Sequence, residues 1–408
     1  MAEYKYVAIN PNGKKITGVQ EGNSRDAVAT FLHQQNLVIV SIEEKIDYME
    51  TIFTGGTPKV SLKNKVIFAK QIATMLGAGL PIIQALEIII QQTQDKALQK
   101  NMEAVLEDIQ KNGVPLSDAM EEHTKMFNEV QISLIRAGEA SGNLNDILTK
   151  VAEDLDKTKQ LTSKIKSAMI YPVIIFIVIG IVMVVMMTTM IPAVEKLYED
   201  FGMTADDLPF VTKTLVNISN FMTNPVGATI MIIVLASVIL GFRYYRSTTG
   251  GRLTTDKLIL KLPVFGNLIT KIQITQFCRL VSMLMRSGIS IIETLNIVST
   301  SLDNVLFKNA LLDSIEDISS GAPLAVPLSR YEVFPPLIVR MVAIGEETGK
   351  LDQILSDMAQ FFEDEVNEIS ENLSKLMEPL ILVIVGGIVA LLAVGIYLPI
   401  YSIGQNMS

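Results

Sequence analysis

The sequence predicts a mainly α membrane protein with three transmembrane helices, two homologous cytoplasmic antiparallel helical bundles and a small N-terminal α+β domain of ββαβ order. Three observations carry this prediction. Residues 68–90, FAKQIATMLGAGLPIIQALEIII, return as residues 277–299, FCRLVSMLMRSGISIIETLNIVS, at a constant offset. Three apolar runs of bilayer length contain no charged residue. The first residues alternate as a strand does and then turn at Asn12-Gly13.

Composition is consistent with spans joined to large aqueous parts. Apolar residues make up 49% and charged residues 19% of the chain, too apolar for an ordinary soluble protein and too charged for one that is nearly all membrane. The net charge of -9 argues against nucleic acid as a partner, because phosphate binding needs clustered Lys and Arg. Cys278 is the single cysteine, so there is no disulfide framework and no thiolate metal site. The start, MAEYKYVAINPNGKK, lacks the apolar core of a signal peptide, so the N-terminus is expected in the cytoplasm.

The elements follow in order. Residues 4–9 and 15–21 read as a hairpin, Ser24 as the cap of a helix to about Gln35, and residues 37–42 as a third strand. Residues 1–45 form this domain. Residues 46–60, with Thr54-Gly-Gly-Thr-Pro58, read as a linker that lets it move. The first bundle takes residues 61–169, where Val66, Ala69, Ile72, Ala73 and Leu76 mark an amphipathic helix. Gly79 suits the left-handed end of that helix and Pro81 the first turn of the next. In the second copy Gly288 and Ser290 solve the same problem, with Ser290 as a capping residue. Gly113-Val-Pro115 and Gly321-Ala-Pro323 repeat the stop-and-start device further on. About six helices are expected in each copy, the last running toward the membrane.

The spans are expected at residues 170–191, 224–245 and 379–401, the first and third bracketed by Pro172 and Pro192 and by Pro379 and Pro399. An acidic loop, residues 192–223, joins the first two; the second bundle occupies 246–378 and a tail 402–408. Lys150, Lys157, Lys159, Lys164 and Lys166 precede the first span, and Arg243, Arg246, Arg252, Lys257 and Lys261 follow the apolar core of the second, which ends at Phe242. By the positive-inside rule both bundles are cytoplasmic, and the loop and C-terminus lie outside.

Candidate chemistry is sparse. The best motif is the paired corner Gly138-Glu139-x-x-Gly142-x-Leu144 and Gly345-Glu346-x-x-Gly349-x-Leu351. It reads either as a helix–helix turn, with glycines at positive φ, or as a partner contact. Each glutamate sits where one helix ends and close to where the next begins. Residues 345–350, GEETGK, do not have the spacing of a phosphate loop. His33 and His123, the only histidines, read as ordinary residues, and no zinc set or nucleophile–base pair is present. Acidic residues 363–368 read as a solvated helix face, with a weak divalent-ion site as the alternative. No cofactor is expected. The apolar cores of the spans, Val226 to Phe242 in the second, hold no Asp, Glu, Lys, Arg or His, which argues against an ion carrier. Gly386 and Ala390 offer a small surface for close helix packing.

The order of parts, the GLPIIQAL stretch at 79–86 and the paired GExxGxL corners resemble the inner-membrane platform proteins of type IV pilus and type II secretion machines, of the PilC and GspF type. The resemblance covers essentially the whole chain. Ser290 departs from the pattern, which often has proline there. The resemblance implies a multi-pass inner-membrane protein that is not an enzyme. Its implied partners are a cytoplasmic hexameric assembly or retraction ATPase, pilin or pseudopilin subunits, other inner-membrane machine components and further copies of itself. It implies coupling of ATP-driven motion to pilin polymerisation and depolymerisation, with rocking or rotation of the bundles carried into the spans through the helices ending near Lys166 and Lys375. A pilus machine is the first reading, a secretion machine the alternative, and a channel or transporter subunit the competing class.

Overall fold

The computed structural model describes residues 2–9, 15–22, 38–44, 60–122, 126–201 and 208–406. The chain divides into two units, one of residues 1–60 and 95–97 and the other of the remainder. In the first unit β1 (Ala2–Ile9) lies between β2 (Lys15–Gly22) and β3 (Val38–Glu44), antiparallel to both. Tyr6 pairs with Gly18 on one side and Ile42 on the other, and an irregularity between Val7 and Ala8 shifts the second register. The expected helix from Ser24 to Gln35, the Asn12-Gly13 turn, His33 and His123 lie outside the described residues.

The larger unit is helical. The first copy comprises α1 (Leu62–Gly77), α2 (Ile82–Gln92), α3 (Lys96–Asn112), α4 (Leu116–Glu121), α5 (Glu129–Ser141) and the start of α6 (Leu144–Val185). Local chemistry starts and stops them. The Ser61 side chain accepts the Asn64 N–H at the start of α1. Asn128 and Gln131 form a reciprocal capping box at α5. Gly79 and Gly113 take φ of 86° and 63°, where other residues are strained. The Leu80 N–H reaches back to the Met75 carbonyl and closes the end of α1.

Between the copies run α7 (Ile191–Asp200), α8 (Phe210–Thr223), α9 (Pro225–Ser247) and α10 (Thr249–Lys261). The second copy is α11 (Phe265–Arg286), α12 (Ile291–Ser301), α13 (Val305–Ser319), α14 (Ala325–Leu328), α15 (Pro336–Thr348) and α16 (Leu351–Asn406). Gly288 has φ 84°, beside 86° at Gly79, and Ser290 accepts the Glu293 N–H at 3.4 Å where Pro81 stands in the first copy. Gly321 repeats Gly113 with φ 93°.

One core joins the two copies. Val130, Leu134, Ile147 and Val151 pack in the same buried cluster as Phe277, Val281, Leu295 and Val298. Phe334 meets Phe277 and Phe307 edge-on at 5.2 and 5.4 Å.

Three helical segments are long and apolar enough to cross a membrane: Leu144–Leu197, Pro225–Ser247 and Leu351–Pro399. The first and third are not separate spans appended to bundles. Each is the continuation of the last bundle helix, so no helix ends near Lys166 or Lys375. At 56 residues, α16 is about 84 Å long. Pro172, Pro379 and Pro399 sit inside helices, where packing of the neighbouring helices outweighs the loss of one backbone bond. At the C-terminal end of the first span a π-turn, Met186–Met190, precedes Pro192, and the Ile191 N–H bonds Met186, five residues back. The stretch expected as a loop holds α7 and α8. Thr212 donates to the Gly395 carbonyl at 2.9 Å and Ser219 to the Met187 carbonyl, so α8 ties spans one and three together.

Candidate functional site

The paired corners are built alike. The left-handed glycines, Gly142 (φ 71°) and Gly349 (φ 66°), end α5 and α15. The Asn143 N–H bonds the Gly138 carbonyl at 2.8 Å, and the Lys350 N–H bonds the Gly345 carbonyl at 2.9 Å. These bonds close the helix ends. Gly138 and Gly345 serve a different purpose. A Cβ on Gly138 would lie 2.9 Å from Ile147, and one on Gly345 2.9 Å from the Leu351 backbone. Both corners fold α6 and α16 tightly back on α5 and α15. Leu351 is buried and Leu144 half-buried at the heads of the long helices.

The glutamates do something the sequence did not disclose. Glu139 reaches neither the end of its own helix nor the start of α6. Its carboxylate accepts the Leu116 and Ser117 N–H groups at 2.6 and 3.0 Å and the Ser117 hydroxyl at 2.5 Å. Glu346 accepts the Leu324 and Ala325 N–H groups at 2.5 and 3.1 Å. Each therefore caps the short helix that precedes its own, where free N–H groups and the dipole favour an anion. Pro115 and Pro323 begin those turns without a side-chain donor or acceptor of their own, so the cap comes from a residue distant in sequence. The spacing of GExxGxL carries no sign of this; the repeated Gly-x-Pro-Leu before each short helix was the other half of the signal.

A charged junction lies between the copies. Arg279 on α11 meets Asp154 on α6 at 2.9 Å and Glu363 on α16 at 4.0 Å, and Lys157 pairs with Glu363 at 3.1 Å. Lys164 contacts Asn367 at 3.0 Å and Glu371 at 3.6 Å. The two long helices thus run parallel and side by side. A cleft of about 340 Å³ opens here, lined by both signs of charge, including Lys150, Asp154, Lys157, Arg279, Arg286 and Glu363. Burial pushes the Asp154 carboxyl above its ordinary range, opposed by Arg279 and Lys157. The acidic run at 363–368 is committed in part to these bonds: Glu363 is held as above and Glu365 pairs with Lys271 at 2.9 Å. Sequence reading singled out none of the junction's pairs, because partners two hundred residues apart leave no local spacing.

Among the described residues no group of three His, Cys, Asp or Glu is placed to hold a metal. Cys278 is buried, and burial raises its thiol, so it is no nucleophile. Within the membrane, Gly386 and Ala390 are exposed and face none of the chain's described helices. The close approach is at Gly395 instead, where a Cβ would collide with the Leu215 side chain. Spans one and three line an apolar groove of about 440 Å³ that includes Val182, Met186, Val389 and Ile396. In α9 every residue from Thr229 onward is exposed, so the second span stands apart from them.

Duplicated helical bundles, each continuing unbroken into a span, define a class of membrane protein built to join aqueous modules to the bilayer. Comparison with known proteins places the chain within it. The family described as type II secretion system (T2SS), protein F, matches residues 68–192 and again 277–399, and its N-terminal domain matches 1–43. The chain belongs to this family. It is 35% identical to the type IV pilus assembly protein PilC of Thermus thermophilus across 100% of both chains. Against the protein of the same name in Myxococcus xanthus it is 32% identical, covering 98% of this chain and 95% of that one. It is also 28% identical to the type II secretion system protein F of Pseudomonas aeruginosa, covering 99% of each.

Proposed function

We propose that this chain is the inner-membrane platform of a type IV pilus machine, coupling a cytoplasmic hexameric ATPase to pilin polymerisation and depolymerisation. The observation that supports this best is end-to-end similarity to pilus assembly proteins, with no part of either chain left over. The family also contains secretion-system relatives, and a type II secretion platform handling pseudopilins is the second reading. The protein is not an enzyme in either reading; ATP chemistry belongs to the partner.

In this reading the bundles face the cytoplasm, the α7–α8 region and the C-terminus lie outside, and the N-terminal unit has ββαβ order. The chain works as a homo-oligomer. Motion imposed on a bundle passes through its glycine corner into a helix that is already the membrane span. The corners serve as rigid joints rather than as direct ATPase contacts, because their glutamates are occupied in capping.

The test is deletion and complementation in the native host. Loss of surface fibres, with pilin still made and inserted, is the expected result. Normal fibres together with failed export of folded proteins would select the secretion machine instead. Normal fibres and normal export would remove both.

A further inference from the structure

Part of the contact between the two copies is heterologous: α6 and α16, which correspond, run side by side, but α5 of the first copy packs on α12 of the second and α2 does not pack in the same way on α15. Val130 and Leu134 of α5 are buried, at 1% and 0% exposure, within the core shared with the second copy. Thr300 at the end of α12 donates to Glu129 at the start of α5 at 2.7 Å. Asp154 meets Arg279, whereas Lys70, which corresponds to Arg279, pairs with Asp156 of its own copy, so the contact is not reciprocated. A heterologous contact leaves one complementary half unused on each copy.

The unused halves are on the surface. In the register that pairs Gly138 with Gly345, Val130 corresponds to Leu337, Leu134 to Met341 and Asp154 to Phe361. Leu337 is 41% and Phe361 44% exposed, with Met341 half-buried. Ile344, also on α15, is 40% exposed. On the first copy, the register that pairs Gly79 with Gly288 matches Ile88 to Ile297 and Gln91 to Thr300. Ile88 is half-buried and Gln91 exposed, whereas Ile297 is 5% exposed. An apolar stripe of this kind on an aqueous helix marks an interaction surface.

We propose that α15 of one molecule docks on α2 of a second molecule of this chain, repeating between chains the contact that α5 and α12 make within one. The occupant is a second copy because the complementary half is present on the same molecule, in a geometry already used once. The membrane permits it. Lys164 touches Glu371, its own equivalent, so the copies stand at one level with their long helices parallel. Adding a chain by the same operation keeps its spans in the same bilayer. The contact names the surface of the homo-oligomer on which the proposed function rests.

The test uses thiol cross-linking in the full chain, in mild detergent. The Glu129–Thr300 contact predicts that position 336 of one molecule faces position 91 of another. Pro336→Cys carrying one tag is mixed with Gln91→Cys carrying another and treated with a short bis-maleimide; the native Cys278 is buried and stays silent. A cross-linked pair bearing both tags, with neither variant pairing with itself, is expected. Leu337→Glu should weaken association about tenfold or more, the effect of losing one buried leucine, with helix content unchanged. Self-pairing of either variant, or an assembly in which 336 and 91 do not link, overturns this contact and leaves the oligomer standing. A mass of one chain removes the contact and the homo-oligomer together.

Discussion

At the scale of single residues, the corners separate three kinds of demand. Gly142 needs only a left-handed backbone, and a Cβ there meets open space. Gly142→Ala should cost about 1 kcal/mol, the price of the conformation alone. Gly138→Ala should cost more, about 2 kcal/mol, because its Cβ presses on Ile147. Gly345→Ala should be worse than Gly138→Ala, since the obstructing atom is the Leu351 backbone, which cannot rotate away. Urea titrations of the three variants in detergent would rank them, and equal losses would show that space is not the constraint. The capping glutamates give a second ranking. Glu139→Gln and Glu346→Gln each turn one accepting oxygen into a donor facing an N–H, and each should lose roughly 1–2 kcal/mol. If fibre assembly falls in these variants while abundance and stability stay at wild-type levels, the glutamates touch a partner and the joint reading is wrong.

At the scale of elements, the junction of α6, α11 and α16 decides how firmly the copies hold each other. Its ion pairs are partly buried, where removing one partner costs more than the pair contributes. Asp154 is the sensitive member. Its folded carboxyl is raised by burial, so the folded chain keeps a proton that the unfolded chain has released. That contribution is complete below the ordinary carboxylate value and is lost as pH rises through the folded value. Asp154→Asn has a similar shape and does not titrate. Wild type should therefore lose stability relative to the variant as the pH rises above the ordinary carboxylate range, about pH 4. Thermal melts of both proteins across that range check this, and a constant difference would mean that Arg279 holds Asp154 at its ordinary value. Helix α8 acts as the opposite clamp, with Thr212 and Ser219 bonded to backbone carbonyls of the third and first spans.

At the scale of the whole molecule, topology is the first thing to establish. Cysteines at Thr204 and Ser408 should react with an impermeant thiol reagent on intact spheroplasts, and one at Asn101 should not. Labelling of Asn101 would reverse the orientation that the lysines and arginines imply. Some of those lysines also have structural roles: Lys157 and Lys164 bind α16 as well as flanking a span. The second span has few contacts within its chain, while the first and third share α8 as a brace. Movement of one bundle relative to the other is therefore expected to reach the first and third spans together.

Duplication, three spans and the left-handed glycines were legible in the residues, because each is a local property: a repeat, an apolar length, a φ only glycine takes freely. So were the starts of α2 and α12, where Pro81 and Ser290 act within one turn. Prolines 172, 192, 379 and 399 bracket the apolar runs without saying whether a helix stops there, since proline weakens a helix locally and only the packing around it decides whether the helix ends. The reach of Glu139 to Leu116, the Asp154–Arg279 pair and the close approach at Gly395 were decided by tertiary structure alone. Each joins residues whose separation along the chain carries no periodicity, and their energies exist only once the two copies have folded against each other.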